Sequence, residues 1–81
     1  MKITYVQDER KTAYYFGGVF QVPLDYTCIS IDKDGEIYAF SESPQARKDF
    51  WYCERGVLCL YLGDVEFEEG DPDWKDTLVK I

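Results

Sequence analysis

Two groups of acidic side chains hold most of the chemistry available to this 81-residue chain: Asp32, Asp34 and Glu36 around Gly35, and seven acids between residues 64 and 76. The first group looks like part of a calcium loop. Aligning Gly35 with the invariant glycine of such a loop puts Ser30 at the first ligand position and Ser41 at the last, where a bidentate Glu is required, so the pattern fails. Asp and Gly suit turn dihedrals without a metal, and a plain hairpin turn is the expectation here. Gly17-Gly18 has neither common phosphate-binding spacing. The chain contains no His, the commonest general base and a frequent transition-metal ligand. Cys28, Cys53 and Cys59 lack a C-x-x-C pair, fall in expected strands and form an odd set, so they read as reduced, mostly buried core residues. We therefore expect no catalytic residue, no metal site and no cofactor. The expectation is a binding protein and not an enzyme.

The second group is more distinctive. Asp64, Glu66, Glu68, Glu69, Asp71, Asp73 and Asp76 face only Lys75, which concentrates most of the formal net charge of −7 in one segment. If residues 65–68 form a strand, Asp64, Glu66 and Glu68 share one face at a spacing of roughly 6.8 Å while Val65 and Phe67 point inward. Such a face is either a solvated edge that resists aggregation or a patch complementary to a basic partner. Asp64, Glu66, Glu68, Glu69, Asp71 and Asp73 are the candidate partner-binding residues. Tyr14, Tyr15 and Phe16, on an aromatic strand that alternates sides, are a second candidate surface. The acidic balance disfavours direct contact with nucleic acid or an anionic membrane, both of which attract cationic proteins.

The elements that would position these groups follow from periodicity. Hydrophobic residues make up 46% of the chain, with seven Tyr, five Phe and two Trp, enough large side chains for one core. A single domain over residues 1–81 is expected. Residues 2–6 suit a first strand and residues 13–21 a second, bulged or bent at Gly17-Gly18 and ended by Pro23. Residues 26–31 and 36–40 flank the Asp-Gly turn as a hairpin at the centre of the sheet. Ser43 and Pro44 read as the start of a helical turn reaching Lys48. Residues 50–53 and 57–62 read as a second hairpin, with Cys53 opposite Val57 and Cys59 opposite Trp51. Asp71-Pro72 resembles a helix start, and Trp74, Leu78 and Ile81 at i, i+4, i+7 predict a short C-terminal helix. The fold class is thus α+β, mainly β: one small antiparallel sheet of five to six strands with a short C-terminal helix.

No run approaches the roughly 20 apolar residues of a membrane span, and the N-terminus lacks the apolar core of a signal peptide, so a cytoplasmic location is expected. The string D-K-D-G-E-I-Y-A-F-S-E-S-P, residues 32–44, resembles a hairpin in small bacteriophage and prophage accessory proteins. Those chains tend to continue to an aromatic near Trp51, and some end like residues 74–78, W-K-D-T-L. The resemblance implies a protein that binds a host protein stoichiometrically in the bacterial cytoplasm, including components of defence systems. Two alternatives are an acidic DNA mimic that occupies the groove of a CRISPR or restriction factor, for which the acidic tract speaks, and a component that self-associates through an exposed edge and an aromatic face, which the resemblance would make a structural phage protein. A monomer or a homodimer is compatible with these readings.

Overall fold

A computed structural model describes residues 1–2 and 9–81. Its elements run β1 (Arg10–Tyr15), β2 (Gly18–Pro23), β3 (Cys28–Ile31), β4 (Glu36–Phe40), β5 (Gln45–Arg47), β6 (Phe50–Tyr52), β7 (Cys59–Asp64), a 3-10 turn (Trp74–Asp76) and β8 (Val79–Lys80). The chain is mainly β and the pairings are antiparallel, but the strands form three sheets: β1-β2, β7-β4-β3-β8 and β5-β6. The single sheet of five to six strands is thereby corrected. The expected strand at residues 2–6 lies almost wholly outside the described residues.

The β3–β4 hairpin forms where the Asp-Gly turn predicts it and lies centrally in the four-stranded sheet. Its alternation sends Ile29, Ile31, Ile37 and Ala39 to one face and Cys28, Ser30, Tyr38 and Phe40 to the other. Each face carries its own core. The first cluster adds Ala13, Tyr15, Val22 and Tyr26, so the β1–β2 hairpin covers that face. The second joins Phe40 to Trp51 and Trp74, whose rings meet edge to face at 6.0 Å. A chain this short buries large side chains on both faces by dividing its strands among three sheets.

The segment 13–21 is not one bent strand. It is a hairpin whose two-residue turn, Phe16-Gly17, has positive φ at both positions (44° and 78°), the primed geometry that matches strand twist. Pro44 does not begin a helical turn either. Ser43 contacts Cys28 Sγ at 3.5 Å, and residues 45–47 pair with β6 through a tight turn at Lys48-Asp49. The second hairpin also fails, because β7 pairs with β4 and not with β6. Packing Tyr61 against Tyr38 (5.7 Å between centroids) and Leu60 on the first core outweighs the local closure. Cys59 consequently lies opposite Phe40 and is exposed, Cys53 is half-buried outside any strand, and only Cys28 is buried.

There is no C-terminal helix among the described residues. Asp73 caps one 3-10 turn, accepting from Lys75 N–H, and Thr77 N–H closes it on the Trp74 carbonyl. The β-branched Thr77, Val79 and Ile81 then favour extension, and Val79 and Lys80 add to the edge of β3. On the Thr77 side of Val79 the backbone pairing stops, and Thr77 supplies by side chain what the ladder no longer does. Its Oγ1 accepts from Ile31 N–H at 3.0 Å and donates to the Trp74 carbonyl at 2.7 Å. The Ile31 carbonyl accepts from Trp51 Nε1 at 2.9 Å, and the Thr77 carbonyl accepts from Tyr15 Oη at 2.6 Å.

Thr77→Val keeps the volume but leaves the buried Ile31 N–H without an acceptor, and is expected to cost about 2–3 kcal/mol. Trp74→Ala, which opens a cavity in the second core, is expected to cost about 3–5 kcal/mol. Urea denaturation of both variants tests these values. A Thr77→Val loss below about 0.5 kcal/mol, the size of an ordinary surface change, would contradict the role given to Thr77.

Candidate functional site

The acidic tract is held at both ends and free between them. β7 extends through Asp64, which lies opposite Glu36 on β4. The next residue donates from Val65 N–H to the Gly35 carbonyl at 2.8 Å, the last backbone bond to the sheet before the chain departs. Gly35 is required there twice over. It adopts φ 95°, and a Cβ at this position would run into the Val65 carbonyl. Residues 65–68 therefore do not form the expected strand. Glu68 N–H is instead taken by the Asp71 carboxylate at 2.8 Å, while Asp71 N–H returns to the Glu68 carbonyl at 3.1 Å, closing a turn around Gly70. The far end is fixed by buried Trp74, just after the Asp73 cap.

Every acid from Asp64 to Asp73 is exposed. Asp64 accepts from Tyr61 Oη at 2.6 Å, and Asp71 and Asp73 shape their own turns. The carboxylates of Glu66, Glu68 and Glu69 hold no hydrogen bond or ion pair within the described residues. The bond to the Asp64 carboxylate favours the neutral phenol and pushes Tyr61 up to about 12. Because Glu36 faces Asp64, the tract adjoins the turn acids as well. Carboxylate oxygens of Asp32, Asp34 and Glu36 lie within 4.8 Å of one another. Asp32 accepts from Trp51 N–H at 2.8 Å, Asp34 accepts from Glu36 N–H at 3.1 Å, and Glu36 accepts from Tyr38 Oη at 3.4 Å, so all three are used in local structure. The charge of Asp34 raises Glu36 above its ordinary range, with Asp64 adding to it. Burial raises Asp32 against the opposing bond from Trp51.

The secondary candidates separate. Tyr15 is 4% exposed and belongs to the first core, which corrects its assignment to a surface, whereas Tyr14 is 74% and Phe16 59% exposed. Tyr14 stands opposite exposed Val19 on the outer face of the hairpin, while Phe16 is at its tip. There it meets the acidic tract: a groove of about 230 Å³ is walled by Phe16, Val65, Phe67 and Pro72, with Glu66 and Asp71 also lining it. Sequence reasoning missed this groove and missed Glu36 as a neighbour of Asp64. Both depend on contacts between residues far apart in the chain, and Val65 and Phe67, expected to point inward from a strand, are instead exposed and line the groove.

The raised carboxyls set a sign for pH dependence. A carboxyl whose folded pKa exceeds its unfolded value, ordinarily about 4, adds stability below that value and loses it as pH rises through the folded pKa. Asp32 and Glu36 are both of this kind. On lowering pH from about 7 to about 5 the melting temperature is expected to hold or rise, which thermal melts followed by circular dichroism check. A steady fall over this interval would contradict the crowding of charge at the turn.

Comparison with protein-family models, with curated proteins and with solved structures gives no match, so the site stands on its own geometry.

Proposed function

We propose that this chain is a binding protein, of the small phage accessory kind, that engages a basic surface of a host protein stoichiometrically through its acidic tract. The observation that carries the reading is the exposed run of Glu66, Glu68 and Glu69, whose carboxylates are spent on nothing within the described fold although the segment is anchored at both ends. A purely protective edge needs charge but no anchoring, whereas a docking surface benefits from charges held in a fixed arrangement before the partner arrives. Such a patch steers association and disfavours partners of the same sign.

Mimicry of DNA is the second reading, and the pairing of Glu36 with Asp64 favours it by bringing another acidic group beside the tract. That group is a knot with carboxylate oxygens within 4.8 Å, however, while phosphates along one DNA strand are spaced at roughly 3.4 Å per step in an extended row. A compact negative surface for a basic protein site fits the arrangement better. No helix among the described residues is long and apolar enough to cross a membrane.

The test compares the natural chain with the triple variant Asp64→Asn, Glu66→Gln, Glu68→Gln in capture from bacterial lysate, followed by association kinetics with the captured protein over a range of salt. The variant is expected to keep its stability within about 0.5 kcal/mol, since exposed substitutions change little. Its association rate is expected to fall on the order of tenfold and to lose most of its salt response. An unchanged rate and salt response would assign the tract to solvation alone and move the interface to the exposed aromatic hairpin at Tyr14 and Phe16.

A further inference from the structure

From the groove between the β1–β2 hairpin tip and the acidic tract, we infer that the partner's anchor is a single arginine side chain, inserted between Phe16 and Phe67 with its guanidinium at Glu66 and Asp71. The inference rests on the binding reading above and names the residue recognised. Two independent features support it. The first is the lining itself. Phe16, Val65, Phe67 and Pro72 supply apolar walls, while Glu66 and Asp71 supply negative charge at the same groove. An aliphatic stem ending in a planar cation matches that combination, since guanidinium stacks on aromatic faces and accepts forked pairing with carboxylates. A volume of about 230 Å³ suits one long side chain and falls short of the roughly 300–1,000 Å³ of small-molecule sites. Glu66 has no other partner within the described fold, and Asp71 keeps its second oxygen free of the bond from Glu68 N–H.

The second feature is the conformation of Phe16. Its φ of 44° places a bulky aromatic where primed turns select Asn, Asp or Gly. The ring is 59% exposed and meets Tyr15 edge to face at 4.7 Å, so core burial does not account for it. The ring is thus left exposed at the wall of the acidic groove, where its face is open to stacking by a guanidinium.

The test uses the full chain, isotopically labelled, titrated with tetra-arginine amide, the charge-matched tetra-lysine amide and the shape-matched, uncharged tetra-citrulline amide. Tetra-arginine is expected to shift the amide signals of Val65 and Phe67 together with those of the groove floor, Ile31 and Thr77, and to bind roughly fivefold more tightly than tetra-lysine, with no binding of tetra-citrulline. Glu66→Gln is expected to weaken tetra-arginine on the order of tenfold. Phe16→Asn, which suits the turn and so preserves the fold, is expected to abolish the preference for arginine over lysine; a residue that only supports structure would change stability and leave that preference intact. Equal affinity for the two cationic peptides, with shifts confined to the exposed acids and none at Ile31 or Thr77, would overturn the groove assignment while leaving the acidic surface as the docking site. Binding of neither cationic peptide would overturn both.

Discussion

The backbone of Ile31 is the point on which the other parts of the molecule converge. It is the last residue of β3, and among the described residues no strand pairs with its outer edge, because β8 reaches only as far as Ile29. A buried peptide group left there would cost about as much as a lost hydrogen bond or more. Two side chains from distant segments resolve this. Thr77 accepts from the N–H and Trp51 donates to the carbonyl. Satisfying one peptide therefore draws the small β5–β6 sheet and the 3-10 turn onto the central hairpin, and their two indoles complete the second core by meeting each other. Tyr15 reaches the same place from the other face through the Thr77 carbonyl, so the two cores share a single polar junction.

The acidic tract inherits its position from this junction. Its C-terminal end is Asp73 and Trp74, and Trp74 is held by the indole of Trp51 and by Thr77, which takes its carbonyl. Its N-terminal end is fastened to Gly35, in a turn that Asp32 ties to β6 through Trp51 N–H. The two fastenings lead back to the same few residues. A loop rich in like charges, which alone would spread in solution, is thereby confined between two points of one rigid hairpin. That confinement also places Val65 and Phe67 beside Phe16 and makes a groove from segments far apart in the chain.

What could be read from the sequence follows the range of the interactions. The β3–β4 hairpin was legible because Asp34-Gly35 closes it locally and the flanking runs alternate. The acidity of residues 64–76 was legible as composition. The β1–β2 hairpin was not, because its turn uses Phe16 where Asn or Gly would announce it, so the aromatic pattern reads straight through. At the C-terminal end two periodicities compete: Trp74, Leu78 and Ile81 share a helical spacing, yet Thr77, Val79 and Ile81 share a strand spacing, and the edge of β3 decides for the strand. The short loop after β6 points locally to closure with β7, whereas β4 offers Tyr38 and a longer ladder, and that distant pairing wins. The groove and the approach of Glu36 to Asp64 arise only once register between distant strands is set, which no local pattern encodes.

Amide hydrogen exchange at Ile31 tests this account most directly. Its N–H points away from the β4 ladder, and its only acceptor among the described residues is a threonine hydroxyl 46 positions away. If that bond unites the two cores, the Ile31 amide exchanges only through global unfolding, in step with Ile29 at the centre of the sheet, while the amides of residues 66–70 exchange far faster. An Ile31 amide that exchanges as readily as the acidic loop would show that the junction opens locally, and the fixed placement of the tract would fall with it.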